Sequence, residues 1–275
     1  DPFSLLFVSS ELQRCRTRYE DTEFVATNFD HCTYPAHMGF FKAFGLNYGK
    51  EPGEAKGSST YIPINIYDTL EIRKEAKELM VNPAELLEKR AKTIADILTR
   101  KIDGDLNEVV TYCIREIFRN VIIHSQAEQF GFCAQYRTSK NIVSFSIIDR
   151  GIGLLNSLRP NPNLNLKNDD DAIESALQPA ISGKVFKGQK RKPKGDWVNS
   201  GYGLYMTSNI CKRVESFFIA SGENGFYISE KTERKLKTPF HGTAINLAIA
   251  TTRIKKLEIL LREIDNYRMK TKYKP

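Results

Sequence analysis

Apolar and polar positions change period several times along the chain, and each change marks an element. "YIPINIY" (61–67) is predicted as a strand, and so are "FGFCAQYR" (130–137) and "NIVSFSIID" (141–149), which turn through "TSKN" as a hairpin. "SLLFVSS" (4–10) and "FVATNF" (24–29) share that aromatic and β-branched character and are also predicted as strands. The Gly- and Lys-containing stretch "GLNYGKEPGEAKGSS" (45–59) reads as a loop. Helical spacing follows in "DTLEIRKEAKELM" (68–80) and "PAELLEKRAKTIADILTRK" (83–101), the second opened by Pro83 at a position that helices tolerate. A third helix starts near Asp105, where "DLNE" places a capping acceptor three residues before Glu108, and runs through "VVTYCIREIFRNVIIHS".

The second half continues with a short helix, "DAIESALQPA" (171–180), and another, "GLYMTSNICKRVES", that begins directly after Gly201 and Gly203. Three strands close this unit: "FFIAS", "GFYISEK" after a "GENG" turn, and "GTAINLAIA". In the tail, Ile254, Leu257, Leu261 and Ile264 share one helical face. No internal repeat is present. Helices followed by mostly antiparallel strands predict an α+β sandwich. It divides into an N-terminal region (1–100), a central unit (101–250) and a basic amphipathic helical tail (251–275).

Composition narrows the class. With 275 residues, 41% of them hydrophobic and 27% charged, the chain reads as an ordinary globular protein with a sizeable core. No apolar run is long enough to cross a bilayer, and the opening residues do not resemble a signal peptide. Five scattered cysteines form no CxxC pair, which predicts a reducing compartment and a cytoplasmic location. "DHCTYPAH" (30–37) gathers two histidines, a cysteine and an aspartate, but no second ligand pair with zinc spacing follows. The net charge of +8 is concentrated in residues 231–275, where twelve Lys/Arg face four Asp/Glu. A further run, "GKVFKGQKRKPKG" (183–195), has six basic residues and no acidic one; both runs could meet phosphates or form solvated surface.

Two carboxylates carry the candidate chemistry. Asp149 ends a strand that runs into the core and is followed by Gly151 and Gly153. A buried carboxylate is costly unless something satisfies it, and alternate glycines mark either a tight turn or the close approach of a ligand. Glu116, Asn120 and His124 recur at intervals of four on a largely apolar helix, as a pocket edge or a surface stripe would.

The series "REIFRNVIIHS", "DRGIGL" (149–154), "NSGYGLYMTSNI" (199–210) and "HGTAINL" (241–247) resembles the N-box, the two glycine boxes and the terminal Gly-Thr strand of the GHKL superfamily. That superfamily includes gyrase B, a heat-shock chaperone, sensor histidine kinases and MutL. The resemblance covers roughly residues 105–250, and the order of the four motifs makes it specific. It implies a Bergerat-type two-layer α/β sandwich, with a mixed, mostly antiparallel sheet and helices on one face. It also implies an ATP site. Asp149 would accept a hydrogen bond from the adenine amine, with Thr243 beside it, and Gly151 and Gly153 would let the backbone approach the base. Asn120 would bind Mg²⁺, Glu116 would activate water, and Gly201, Gly203 and Leu204 would present the start of a helix to phosphates. Lys184 and Lys187, in the segment matching the family's mobile lid, would contact phosphate, and the next four basic residues could substitute. No GxxxxGK[ST] occurs, and neither Gly-x-Gly has the third glycine of a dinucleotide fingerprint.

There are departures from the family pattern. Tyr205 stands where many relatives have a third glycine, and only a short tail follows Ala250 to supply a γ-phosphate contact. Slow hydrolysis driving a change of contacts with a protein partner or a second copy is therefore expected. A protein kinase module is the alternative, although no histidine lies in 68–100 to accept phosphate. Nucleic-acid association through the basic tail is a third, compatible with phosphate contacts but without a base-reading motif.

Overall fold

A computed structural model describes residues 1–188 and 201–272, with side chains to residue 266. Its elements are α1 (Pro2–Arg18), α2 (Thr33–His37), α3 (Phe40–Ala43), β1 (Tyr61–Asp68), α4 (Thr69–Glu78), α5 (Pro83–Thr99) and α6 (Asp105–Asn120). After a π-helical turn at Val121–Ser125 come β2 (Gln129–Arg137), β3 (Ile142–Asp149), α7 (Gly153–Leu158), α8 (Asp169–Ala176), α9 (Gly203–Val214), β4 (Ser216–Ser229), β5 (Glu233–Ala250) and α10 (Leu257–Lys272). This is a mixed α/β architecture around one open five-stranded sheet, ordered β1-β2-β3-β5-β4. Every pairing is antiparallel, where a partly parallel sheet was expected. Chain reversals between sequence neighbours account for β2–β3 and β4–β5; β5 then inserts beside β3 and makes β3 the central strand.

Local chemistry sets the helix starts. Asp68 Oδ1 accepts from the Leu70 and Glu71 amides at the head of α4, and Asn82 Oδ1 accepts from Ala84 N before Pro83 opens α5. The capping box expected at Asp105 does not form. Gly104, at φ 90°, is the N-cap, and Asp105 is the first helical residue. On α6 the residues Val109, Val110, Cys113, Ile114, Ile117 and Phe118 are buried, and Phe118 meets the rings of Phe130, Phe132 and Phe145 at 5.9, 5.5 and 5.5 Å. Truncating such a ring to Ala costs about 3–5 kcal/mol.

Alternation along the strands builds two cores. Phe132 and Ile147 face α5, α6 and α9, whereas their neighbours Cys133 and Ile148 face the other way, toward Leu6 of α1 and Ala43. Helices therefore cover both faces, not one as expected. β1 pairs with β2 along its length, and Leu98 of α5 shares a core with Val110 and Ile114 of α6, so residues on both sides of position 100 build the same sheet and core.

Three local predictions are corrected. "SLLFVSS" is helical: Leu6 is buried against the sheet, and Phe3 and Phe7, one helical turn apart, pack beside it on Phe218 and Phe240. "FVATNF" is irregular: Val25 is 75% exposed, and no strand lies beside it to pair with its backbone. "GENG" is not a turn but a bulge inside β4. Gly222 sits at φ 65° with the Asp169 carboxylate packed against it, and the Glu223 amide donates to Asp169 Oδ2 at 3.0 Å.

Candidate functional site

One pocket opens at the end of β3 that carries Asp149. Its cavity measures about 80 Å³ and opens to solvent at its mouth. Val121, Ile147, Leu154, Leu158, Ile219 and Ile245 give it apolar walls. Asn120, His124, Ser125, Asp149, Ser182 and Thr243 supply its polar groups. Of the residues nominated from sequence, Asn120, Asp149, Gly153, Gly201, Gly203, Leu204 and Thr243 line this pocket together.

Asp149 is only 3% exposed. It stands between Phe130 of β2 and Thr243 of β5 in the sheet register, so the alternation of β3 fixes where its side chain goes. Its Oδ1 accepts from the Gly151 amide at 2.9 Å. Burial pushes the carboxyl up from its ordinary 3.8 to about 7; the Gly151 amide, the Arg150 charge and the Thr243 amide and hydroxyl all oppose that rise. The carboxyl is thus kept by neutral donors and one guanidinium, and it can accept a further donor from the pocket.

The two glycines behind it have separate reasons. A Cβ on Gly151 would lie 1.9 Å from the Ser125 carbonyl oxygen, because the turn is pressed onto the π-helical segment; the Ile152 amide donates to that same oxygen at 2.8 Å. Gly153 adopts φ 71°, a left-handed conformation that strains other residues. It also passes within 3.0 Å of Ser221 Oγ, measured from an added Cβ. Ser221 accepts from the Leu154 amide at 2.9 Å and donates to the Gly242 carbonyl at 2.8 Å, so it staples the turn after β3 to β5 beside Thr243. Neither Ser125 nor Ser221 is singled out by any motif; each acts through a contact distant in sequence.

Asn120 ends α6 where the helix widens into the π-turn, a distortion found frequently at functional sites. His124 lies in that turn, and burial together with the Lys184 charge pushes it down to about 4, so it is neutral at pH 7. Gly201, at φ 73°, packs against the backbone of Ile181, which brings the two ends of the 181–201 stretch together on one side of the pocket. Gly203 opens the twelve-residue helix α9, and an added Cβ there would lie 2.4 Å from Glu116 Oε2.

Glu116, Gly151, Lys184 and Lys187 are not among the lining residues. Glu116 is buried beneath the start of α9, with its Oε1 held by Arg115 at 3.0 Å and Arg119 at 3.4 Å. Lys184 donates its Nζ to the Ile123 carbonyl, and Lys187 is exposed. The other basic candidates, Lys190, Arg191, Lys192 and Lys194, lie outside the described residues. Among the described residues no group of three or more His, Cys, Asp and Glu comes together as a metal cluster; His37 of "DHCTYPAH" meets the Tyr61 hydroxyl instead.

No protein-family model matches the chain, and no curated protein is similar to it in sequence. No helix among the described residues is long and apolar enough to cross a membrane.

Proposed function

We propose that the chain is an ATP-binding protein of the GHKL type with a Bergerat-like site, in which Mg·ATP binding and slow hydrolysis drive a change in the lid and in contacts with a protein partner or a second copy. One observation carries the reading. A buried carboxyl with neutral donors ends a strand inside an apolar-walled pocket, directly beside Thr243 and across from the Asn120 end of α6. Flat apolar walls suit a purine, and a carboxylate that accepts a charge-assisted hydrogen bond suits its exocyclic amine.

The donor set also fits the metal. Mg²⁺ keeps several waters and takes phosphate oxygens, so it needs few protein ligands, and the Asn120 side-chain oxygen is a hard donor on the pocket wall. The bound ion would neutralise phosphate charge. The start of α9 offers a positive dipole end beside Gly201 and Gly203.

Slow turnover follows from the surroundings of Glu116. Arg115 and Arg119 hold its Oε1, and the carboxylate does not line the pocket. The nucleic-acid alternative is not favoured, because the described basic side chains near the tail are largely paired: Lys212 with Glu233, Arg253 with Glu230, Lys255 with Glu263 and Arg262 with Glu258.

Calorimetric titration with ATP, ADP and GTP, with and without Mg²⁺, tests the reading in wild type and Asp149→Asn. Binding of adenine nucleotides over GTP, weakened about 10–100-fold in the variant, is expected from the loss of a charged hydrogen bond. Equal binding of ATP and GTP, or an unaffected variant, would remove it. For hydrolysis, equal rates in wild type and Glu116→Ala would exclude Glu116 as the base.

A further inference from the structure

Besides the packing of Leu6 and Phe7 on this face of the sheet, the N-terminal helix meets the end of β3 through one polar side chain, Arg150. Asp149 enters the pocket, but its neighbour Arg150 turns to the opposite face of the sheet and is gripped there on four sides. Its Nε donates to Ser10 Oγ at 2.8 Å, Nη1 donates to the His241 carbonyl at 3.1 Å, and Nη2 lies 2.9 Å from Glu11 Oε1. Its guanidinium carbon sits 4.1 Å from the centre of the Phe240 ring. Ser10 and Glu11 belong to α1; Phe240 and His241 lie three and two residues before Thr243 on β5.

One guanidinium therefore joins α1, the end of β3 and the strand that carries Thr243. A planar fork with five fixed donors holds such a three-way junction in one geometry, as a flexible ammonium would not. We propose that Arg150 is a positioning residue through which α1 clamps the Asp149–Thr243 pair and keeps the Asp149 carboxylate ready to accept a donor from a bound base. The proposal rests on the ATP-binding reading and gives the N-terminal helix a part in it.

The electrostatics run in the same direction. Burial raises Asp149, and the Arg150 charge opposes that rise; reciprocally, Asp149 and Glu11 raise Arg150 against its own desolvation and against Arg14. The other groups facing this junction are Glu11 and Arg14 of α1, joined to each other at 3.0 Å, and His241 of β5. On the pocket side stand neutral His124 and, against it, Lys184. Among these, Arg150 is the positive charge covalently next to Asp149, and α1 fixes where it sits.

Two measurements on the full chain test the clamp and separate it from the reading beneath it. The first follows the Asp149 carboxyl carbon by NMR titration of the nucleotide-free protein. Arg150→Gln should raise the midpoint by about one pH unit and Ser10→Ala by less, whereas Arg150→Lys, which keeps the charge but not the fork, should recover only part of the shift. The second follows ATP affinity between pH 6 and 8.5. Arg150→Gln should weaken binding about five-fold at pH 7, because a half-ionised carboxyl whose midpoint rises by one unit becomes about one-tenth ionised, and move the acid limb of the profile upward; Ser10→Ala should do the same to a smaller extent. A midpoint and an acid limb unmoved in both variants overturn the proposal. Should Arg150→Gln fail to fold, Ser10→Ala, which removes a single hydroxyl, decides alone. A shifted carboxyl with unchanged ATP affinity would support the clamp and overturn the ATP reading.

Discussion

Asp149 and Glu116 are both acidic side chains shut away from water, at 3% and 6% exposure, yet their surroundings give them opposite characters. Around Asp149 the closest partners are amides and a hydroxyl, so burial dominates and the carboxyl rises to about 7. Around Glu116 two guanidiniums close on one oxygen, and the other packs beneath Gly203. Burial alone does not assign a role to a carboxylate. What it touches does: neutral donors leave a group open to a ligand, whereas fixed counter-charges tie it into the scaffold.

The contrast is sharpest in the pH dependence of stability. Because the folded value of Asp149 is raised, the native state holds its proton more tightly than the unfolded chain does. That stabilisation is complete below the ordinary 3.8 and is lost as pH rises through about 7. Wild-type stability in denaturant titrations should therefore fall between pH 4 and 8 by on the order of 4 kcal/mol from this group, and Asp149→Asn should flatten that slope. An unchanged slope in the variant would mean that Asp149 is ionised at no cost.

Glu116→Gln should behave differently. It removes the counter-charge of Arg119 and one of two for Arg115, which keeps Glu88; their side chains are 22% and 27% exposed, so screening by water moderates the loss to about 2 kcal/mol. Its thermal midpoint should drop with little dependence on pH from 5 to 8, while ATP affinity stays within about two-fold of wild type. A large fall in affinity with an unchanged midpoint would reverse the assignment and place Glu116 at the ligand.

The smallest effect belongs to the staple beside Asp149. Ser221→Ala leaves the Leu154 amide and the Gly242 carbonyl without their shared hydroxyl and should cost about 1–2 kcal/mol. If the staple sets the distance between the turn and Thr243, ATP should also bind several-fold more weakly. Loss of stability without loss of affinity would confine Ser221 to the scaffold.

Much of this arrangement was legible before any coordinates. Alternation located β1, β2 and β3, and the β3 register carried Asp149 and Thr243 to the same spot. Pro83 announced α5. What escaped did so for physical reasons. Along α1, Phe3, Leu6 and Phe7 pack on the sheet while Val8 and Leu12 face outward at 45% and 38% exposure, so apolar residues on both sides of the helix blur its stripe and mimic a strand. The bulge at Gly222 uses the same residue types as a turn, and only Asp169, distant in sequence, tells them apart. The Arg150 grip is hidden for the same reason: its partners Ser10 and His241 lie 140 and 91 residues away.

The widened turn at Val121–Ser125 has a consequence for how this chain tolerates change. A helix advances about 100° per residue, so the extra residue of a π-turn sets the angle at which Ser125 leaves α6. That angle aims its carbonyl at Ile152 and leaves room for Gly151 alone. Deleting one residue there would swing the oxygen away from the glycine turn while leaving Asn120 where it is, and the two halves of the pocket would lose their shared phase. Length in this segment is under tighter constraint than side-chain identity.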